Sequence, residues 1–533
     1  MSSKNLVDYI IVGSGAAGAA LAHRLGSNPQ NQVLVIEAGD SDRHQRWLVP
    51  ARFTQASTDP QHQHGHTSQV FGAERMDQRR TGCLVEGSTT ASGLTWGRGG
   101  EADYAAWEAV GATGWNWSRF LEAFTEIERH ALDATASPAG GAPRLAEAVG
   151  PQDATAELWL DALARQGIDA VVDLNGSPDR AAYVPHPMST GVPKSRARAL
   201  LRGCARRRNV RVRPHCTARR ILFEGTTAIG VEAQTSRGTV RFWARREVIL
   251  CAGTMGSPLL LERSGVGDPE VLTTAGVHLV AESQAVGANL RQRRGAALTL
   301  RFNGVPDHGR EPAPPIVGPR SRFRPVPRRA AVSAGGGAAV LAVTNSGHGT
   351  SSPDMELLFT PVVEHDGLHP GAVGATAVTV AFYPRSPTSI GSVHITGPTL
   401  ADPPRLVPGY LSTDHDNELT LAAFARTREI LAATEPFAST MTEVNPGPEV
   451  TDTRDTLRYV MEHGFTRKHE VGTCALGADG AVDEELRVRG THRLRVADAS
   501  VMPVLTTGDT EAASLAVGWM AGDILRNANT RSR

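Results

Sequence analysis

The first residues that could do chemistry form a glycine-rich turn near the start of the chain. A strand, Tyr9-Ile10-Ile11-Val12, leads into the sequence Gly13-Ser14-Gly15-Ala16-Ala17-Gly18. In this spacing Gly13 permits a tight turn, Gly15 lets the backbone approach a pyrophosphate, and Gly18 lets the following helix pack closely on the strand. The helix N-terminus offers free N–H donors and a positive dipole to the phosphates. The turn therefore predicts a dinucleotide held by residues 13 to 18, with Ala16 and Ala17 among its contacts.

An acidic residue at the end of the second strand completes this unit. Glu37 follows Val33-Leu34-Val35-Ile36 and precedes Ala38, and its carboxylate can accept both hydroxyls of an adenosine ribose. A ribose carrying a 2′-phosphate would be repelled there, so FAD or NAD is favoured over NADP. Strand, turn, helix, second strand and acid all fall within one βαβ unit, which disfavours a turn without a ligand. The motif by itself does not distinguish FAD from NAD.

Length and composition limit the classes of protein to which the chain can belong. At 533 residues it exceeds what one hydrophobic core usually supports, so two domains are expected. Equal numbers of basic and acidic side chains, 55 of each, argue against a general binder of nucleic acid or of a membrane surface. The five cysteines lack C-x-x-C spacing, so neither a disulfide framework nor a zinc site is expected. No signal-peptide or membrane-spanning apolar run occurs, and a cytoplasmic location is predicted.

Several further segments are predicted to form the helices and strands around the nucleotide-binding unit. Apolar residues recur with helical spacing from Ala102 to Arg129, split by the turn Gly111-Ala112-Thr113-Gly114, and the aromatic side chains among them are predicted to be core. The arginine-rich run from Ser195 to Arg213 is predicted to be largely one amphipathic helix with a solvated charged face. Residues from Thr376 to Phe382 and from Gly391 to Ile395 have strand composition and predict an antiparallel sheet in a second domain.

Two polar stretches are predicted to be loops. The stretch from Gly304 to Ser352 is dense in proline, glycine and arginine, so it is expected to be an extended loop over the surface or the substrate mouth, without a central strand. In the other stretch His62, His64 and His66 alternate and could present two or three imidazoles to a metal. Asp59 is the only close carboxylate and no cysteine lies nearby, so a solvated loop is favoured and no metal site is predicted.

Four further segments, read together with the glycine turn, resemble the glucose-methanol-choline (GMC) family of flavoprotein oxidoreductases. They run from Gly82 to Gly93, from Gly253 to Gly267, from His469 to Gly477, and from Arg495 through Pro503 to Thr510. The resemblance implies FAD as cofactor. It also implies a Rossmann-like FAD-binding domain, here residues 1–130, 194–300 and 465–533, and a substrate domain built on an antiparallel sheet, here residues 131–193 and 301–464. The expected fold class is therefore α/β combined with α+β.

The resemblance implies further contacts to the cofactor. The matching positions are Gly87, Ser88 and Ser92 along the flavin and pyrophosphate, Gly253 in the second signature, Asp498 and Ala499 near the ribityl or phosphate portion, and Thr510 at a helix start that faces the flavin pyrimidine. The dipole of that helix can stabilise reduced anionic flavin. Ser92 stands where the family usually has asparagine, and Glu86 where it usually has glycine. A carboxylate near the isoalloxazine would disfavour its reduced anion, so Glu86 either points away or tunes the flavin.

His469 matches the catalytic histidine of the family. Hydride leaves a carbinol carbon readily only if the hydroxyl proton is taken as charge develops, and a histidine suits that role. Glu470 replaces a usual proline and could orient the imidazole or raise its pKa. Asp509 stands where the family has a second histidine or an asparagine. It is either a helix N-cap or a group that faces the substrate, where it would bind a hydroxyl or amine or hold His469 protonated.

These features together predict FAD-dependent oxidation of a hydroxyl-bearing small molecule. Hydride would pass to flavin N5 while His469 accepts the hydroxyl proton, and oxygen or another acceptor would take the electrons. A lyase that retains FAD without net redox chemistry is the alternative, since the family includes hydroxynitrile lyases. A flavin-binding protein with little catalysis is a third possibility, which the altered residues Glu86, Ser92 and Asp509 permit.

Overall fold

The computed structural model of the chain describes residues 5–40, 63–72, 74–83, 85, 96–135, 154–171, 173–175, 179–184, 188–189, 192–193, 196–302, 340–348, 353–360, 377–433, 435 and 437–531. The α-helices in these ranges are Ala16–Leu25, Glu101–Ala109, Trp117–Thr135, Ala154–Ala164, Arg196–Ala205, Gly253–Arg263, Pro269–Thr274, Asp414–Ala432, Phe437–Thr440, Thr453–His463 and Thr510–Arg531. Residues Ala499–Val501 form a short 3-10 helix. Two large sheets, each with its own buried apolar core, organise these helices.

The first sheet contains the glycine turn identified in the sequence. Its strands are Leu6–Val12, Val33–Ile36, Val210–Arg213, Thr217–Glu224, Thr227–Thr235, Gly238–Leu250 and Leu494–Val496. Leu6–Val12 lies between Val33–Ile36 and Gly238–Leu250 and is parallel to both. Leu494–Val496 is also parallel to Gly238–Leu250. The two central strands Leu6–Val12 and Val33–Ile36 are almost wholly apolar and largely buried, as expected for parallel strands covered on both faces.

Small residues let the two helices closest to the glycine turn approach each other. Ala16–Leu25 packs against Thr510–Arg531, and a Cβ placed on Gly518 would lie only 2.1 Å from the carbonyl oxygen of Ala17. The absence of a side chain at Gly518 therefore brings the C-terminal helix onto the backbone of the first helix. This contact places the start of the C-terminal helix beside the predicted cofactor site.

The aromatic residues between Ala102 and Arg129 form part of the first core, as predicted. The rings of Tyr104 and Phe120 stack with centroids 4.0 Å apart, and Trp107 is fully buried beside them. The Tyr104 hydroxyl donates to the carbonyl oxygen of Arg98 at 2.7 Å. These contacts hold the segment that leads into Glu101–Ala109.

The second sheet is mainly antiparallel and forms the other half of the molecule. Its strands are Asp169–Ala170, Arg180–Tyr183, Arg294–Phe302, Val340–Thr344, Met355–Thr360, Ala377–Pro384, Met441–Asn445 and Phe465–Thr466. Only Asp169–Ala170 and Arg180–Tyr183 pair in parallel. The mixed α/β architecture predicted from the sequence is thereby confirmed. The predicted domain boundary at residue 300 falls inside the strand Arg294–Phe302, whose partners all belong to the second sheet.

Four small two-stranded sheets complete the described strands. They pair Gln63–Thr67 with Gln78–Gly82, Met188–Ser189 with Val192–Pro193, Val266–Gly267 with Ala281–Glu282, and Ser392–His394 with Arg405–Val407. The stretch Gly391 to Ile395 contains the predicted strand, Ser392–His394, and this strand pairs antiparallel with Arg405–Val407 in a sheet separate from the eight-stranded one. The buried pair of Glu262 and His394 instead ties this small sheet to the helix Gly253–Arg263.

Two expectations need correction. Val340–Thr344 lies within the stretch predicted to lack a central strand, yet it pairs on both sides and all five residues are buried. Every proline and most glycines of that stretch precede residue 338, so composition averaged over the whole stretch concealed an apolar strand near its end. In the arginine-rich helix Arg196 is buried and its guanidinium lies 4.1 Å from the ring centroid of Trp96. That side chain is therefore not part of a solvated face.

Across the described ranges, no helix has both the length and the apolar character required to cross a bilayer. Within the same residues no group of three His, Cys, Asp or Glu side chains is placed to hold a metal ion. His62 lies outside the described residues, while His64 and His66 belong to the strand Gln63–Thr67.

Candidate active site

The parallel strands of the first sheet end together, and their turns form one edge. Val12, Leu250 and Val496 are register partners, so the turns that follow them carry Gly13, Gly253 and Asp498 to the same place. Ligands of open parallel sheets bind at this carboxyl edge. The sequence-predicted cofactor residues from three distant segments are thus brought together.

Two glycines at this edge have positive φ angles for different reasons. Gly13 has φ +103°, and a Cβ there would lie 2.2 Å from the carbonyl oxygen of Cys251. Gly253 has φ +80°, and a Cβ there would meet no atom of the described residues within 4 Å. Gly13 is therefore required for the approach of neighbouring strands. Gly253 leaves open space beside the N-terminus of Gly253–Arg263, which is a position suited to a phosphate or ring.

The carboxylate of Glu37 folds back onto the glycine turn. Its Oε2 accepts hydrogen bonds from the backbone N–H and the hydroxyl of Ser14, both at 2.8 Å, and its Oε1 accepts from the N–H of Gly39 at 2.9 Å. The side chain is buried. Glu37 consequently fixes the turn through Ser14, while the half-buried Ala38 lies next to it.

Asp498 joins the second signature to the C-terminal segment. Its Oδ2 accepts from the N–H of Gly253 at 2.9 Å and from the hydroxyl of Ser257 at 2.6 Å. Its Oδ1 accepts from the N–H and the hydroxyl of Ser500 at 2.8 and 2.5 Å. Burial raises the pKa of Asp498, although these hydrogen bonds oppose the shift. The carboxylate thus holds two backbone turns rather than projecting freely into the space predicted for the cofactor.

The remaining predicted cofactor residues fall into two groups. Gly15 is the residue before the helix Ala16–Leu25, so Ala16, Ala17 and Gly18 form the first turn of that helix. Ala499 is the first residue of the short 3-10 helix, and Thr510 is the first residue of the C-terminal helix. The residues Glu86, Gly87, Ser88 and Ser92 lie outside the described residues. Their predicted role beside the flavin stays a prediction.

The segment that carries His469 is joined to this edge by hydrogen bonds to backbone carbonyl oxygens. The hydroxyl of Thr254 donates to the carbonyl oxygen of Glu470 at 2.6 Å, and the hydroxyl of Thr473 donates to the carbonyl oxygen of Thr254 at 2.5 Å. The N–H of Cys474 donates to the carbonyl oxygen of Ser500. The helix start at Gly253 and the predicted catalytic histidine are therefore parts of one site.

Asp509 is brought next to His469. Its Oδ1 lies 3.6 Å from Nε2 of His469, which is close enough for charge coupling but too long for a hydrogen bond. Asp509 immediately precedes the helix Thr510–Arg531, so it occupies the N-cap position as well as facing the imidazole. Nδ1 of His469 is buried and has no hydrogen-bond partner among the described residues. The imidazole and the carboxylate therefore both retain capacity for a third group.

Sequence reasoning missed a set of buried charges around this pair. We call Arg293, Arg385 and Arg467 the arginine cluster; its acidic partner is Glu356 on the strand Met355–Thr360. Nε of Arg467 donates to Oε1 of Glu356 at 2.7 Å, and Nη1 of Arg293 lies 3.8 Å from Oε2. All four residues lie on or next to strands of the second sheet and belong to no local motif. The position of Arg467 two residues before His469 was the only sequence signal available.

The arginine cluster also holds the loop that ends in Asp509. Arg293 donates to the carbonyl oxygens of Thr506 and Gly508, and Arg385 donates to that of Thr507. Three consecutive carbonyl groups are thereby fixed by two buried guanidinium groups. The position of Asp509 relative to His469 is thus set from the second sheet.

The surroundings of His469 keep its imidazole neutral. Burial is the largest cause that lowers its pKa well below the ordinary value, and the positive charges of Arg467 and Arg293 lower it further. The carboxylate of Glu356 opposes these effects. For Arg467 burial opposes a charged form, but Glu356 and Asp509 raise its pKa above the usual range. A neutral imidazole keeps a nitrogen lone pair free and can therefore accept a proton.

The fold defines a dinucleotide-binding protein, and the site places the buried His469 next to Asp509. The strand-turn-helix at Gly13, the open space at Gly253 and two helix N-termini fit the pyrophosphate and ring system of FAD.

Comparisons with known proteins place the chain within a family. Residues 7–294 match a family model described as GMC oxidoreductase, and residues 387–518 match a second model with the same description. An uncharacterized GMC-type oxidoreductase of Mycobacterium tuberculosis is 31% identical over 544 residues, covering 98% of this chain and 99% of that protein. The oxygen-dependent choline dehydrogenase of Vibrio vulnificus is 29% identical over 537 residues, covering 97% and 94%. The crystal structure of pyridoxine 4-oxidase from Mesorbium loti superposes with a TM-score of 0.83 at 26% identity, covering 98% and 99%.

The chain belongs to the GMC oxidoreductase family. It is an FAD-dependent oxidoreductase, which confirms the predicted cofactor, enzyme class and family.

Proposed function

We propose that the protein oxidises a hydroxyl-bearing small molecule and that His469 is the general base. The observation that carries the proposal is the buried, neutral imidazole whose Nε2 faces Asp509 at 3.6 Å without a hydrogen bond. A substrate hydroxyl beside this pair can give its proton to the imidazole. Bound FAD supplies the acceptor for the hydride.

Asp509 and the arginine cluster would act on the charges that develop. The imidazolium formed at His469 is stabilised by the carboxylate of Asp509, which can also accept a hydrogen bond from substrate. Arg467, 3.8 Å from Asp509, prevents that carboxylate from holding the resting imidazole protonated. An alkoxide that develops at the substrate would be stabilised by the same guanidinium.

The cofactor would be held by the turns at the carboxyl edge. Residues 13 to 18 and Gly253 support the pyrophosphate, and Glu37 accepts a ribose hydroxyl. Asp498 positions the backbone of Gly253 and of Ser500, which follows the predicted contact residue Ala499. Thr510 presents a helix N-terminus to the flavin. The same proposal includes the predicted cofactor contacts of Gly87, Ser88 and Ser92. It also includes the two discontinuous domains. The electron acceptor is oxygen or another molecule.

The experiment is anaerobic mixing of the purified flavoprotein with a panel of primary and secondary alcohols. Loss of the oxidised-flavin absorbance, together with formation of an aldehyde or ketone, supports the proposal. Turnover of a hydroxynitrile without bleaching supports the lyase alternative instead. His492→Ala, which changes an exposed histidine, is the matched control for substitutions at His469.

A further inference from the structure

The guanidinium of Arg467 lies between a carboxylate and an aromatic ring. It donates to Glu356 at 2.7 Å and lies 6.0 Å from the ring centroid of Tyr383. A carboxylate and an aromatic face are the two groups with which proteins bind an organic cation. In this site both groups already face a cation that belongs to the chain.

The members of this ion pair differ in their access to solvent. The side chain of Arg467 is 14% exposed, whereas that of Glu356 is 5% exposed. Glu356 is therefore the fixed anchor within the second sheet, and Arg467 is the member that can meet an entering molecule. Arg467 also lies 3.8 Å from Asp509, which places it at the proposed reacting centre.

The charges that face His469 come from each element packed against it. They are Arg467 from its own segment, Glu356 from Met355–Thr360, Arg293 from the residue before Arg294–Phe302, and Asp509 from the loop before Thr510–Arg531. Asp509 is shared between His469 and Arg467, and Glu356 is shared between Arg467 and Arg293. The guanidinium groups thus balance the charge of both carboxylates, so neither offers an uncompensated negative charge to an entering cation.

We propose that the Glu356–Arg467 ion pair is a specificity and positioning device that makes the site accept neutral or anionic alcohols and reject quaternary ammonium alcohols such as choline. The inference rests on the proposed alcohol oxidation and states its substrate class. It separates this chain from relatives named as choline dehydrogenases, despite 28–30% identity to them. Bringing a second cation next to Arg467 would cost desolvation and like-charge repulsion without a free carboxylate to compensate.

The test uses two probes of nearly equal shape, choline and its uncharged isostere 3,3-dimethylbutan-1-ol. Binding to the oxidised holoenzyme is followed by the difference spectrum of the flavin, and reduction is followed anaerobically. We expect the wild type to favour the isostere over choline by about tenfold or more in both measurements. In Arg467→Met the preference should fall to within about threefold, because Glu356 and Tyr383 become available to the ammonium.

Matched variants distinguish the effect of the positive charge at position 467 from an effect of substitution on folding. Arg467→Lys keeps the positive charge and should keep the discrimination, and Arg458→Met changes an arginine that is 48% exposed and should behave as wild type. Because Arg467→Met leaves a buried carboxylate unpaired, the double variant Glu356→Gln/Arg467→Met provides a neutral pair, and its preference should also fall to within about threefold.

A second readout does not depend on either probe. In ¹⁵N-histidine spectra of the holoenzyme, assigned with His469→Gln, the His469 signal should titrate at higher pH in Arg467→Met than in wild type. A purely structural role for Arg467 would leave this titration unchanged. Choline binding as tightly as its isostere in the wild type, or an unchanged His469 titration in Arg467→Met, overturns the inference. Failure of every alcohol to reduce the flavin would instead overturn the proposed function.

Discussion

Oδ1 of Asp509 lies 3.6 Å from Nε2 of His469, while Nη2 of Arg467 lies 3.8 Å from the same oxygen. One carboxylate is therefore shared by a neutral base and a permanent cation. This arrangement lets the imidazole remain neutral before the reaction. When the imidazole accepts a proton, the carboxylate of Asp509 becomes its counter-charge.

The first prediction concerns this shared carboxylate. Asp509→Asn should lower kcat/KM by about tenfold, or about 1.4 kcal/mol in transition-state free energy, because the imidazolium loses its counter-charge. FAD content should not change. Asp479→Asn, at an exposed residue, is the control. Activity equal to wild type in Asp509→Asn would leave Asp509 with only its N-cap role.

The second prediction compares two glycines with positive φ. Gly253→Ala should retain the fold, because its Cβ meets no other atom of the described residues. It should weaken FAD binding by about tenfold or more, because the methyl group enters the space predicted for the cofactor. Gly225→Ala has a comparable positive φ and open space on a hairpin turn, so it controls for backbone strain. Equal FAD dissociation constants for the two variants, measured by fluorescence titration, would contradict a cofactor at Gly253.

The third prediction concerns the carboxylate that joins the second signature to the C-terminal segment. Asp498→Asn replaces an oxygen that accepts two hydrogen bonds by an NH2 group, which should destabilise the fold by about 2 kcal/mol. FAD affinity should fall as well, because the backbone of Gly253 loses its anchor. Chemical denaturation of the apoprotein measures the first effect. Unchanged apoprotein stability together with lost FAD would favour a direct contact of Asp498 with the cofactor.

The fourth prediction is a pH dependence of stability. Burial, aided by the charge of Arg207, lowers the pKa of His23 from its ordinary value to about 4. The unfolded chain binds this proton near pH 6.5 and the folded chain only near pH 4, so stability is fully present above about pH 6.5 and falls on acidification. The loss should reach about 3 kcal/mol by about pH 4. In His23→Phe, which preserves ring packing on Trp519, the decline should be smaller; an identical decline would assign it to other groups.

The sequence was most informative where function and backbone geometry coincide. The glycine turn, the strand Val33–Ile36 and the aromatic core around Tyr104 follow from local spacing, and the structure has them at nearly the predicted positions. The motif segments also identified His469 and Asp509, which the fold brings together across forty residues.

The missed features depend on contacts between distant segments. Glu356 and Arg293 reach His469 only because a strand of the second sheet and the start of another meet the C-terminal loop. No periodicity or short spacing encodes such a meeting. Similarly, the burial of Val340–Thr344 depends on partners on both sides, which the proline-rich stretch before it did not reveal.

The central claim is tested most directly by anaerobic single-turnover reduction of His469→Ala that still contains FAD. With an alcohol that bleaches the wild-type flavin, we predict that the reduction rate falls by about 10²- to 10⁴-fold, while the oxidised spectrum and the FAD-to-protein ratio stay as in wild type and in His492→Ala. A reduction rate in FAD-loaded His469→Ala that equals the wild-type rate would contradict the assignment of this histidine as the base.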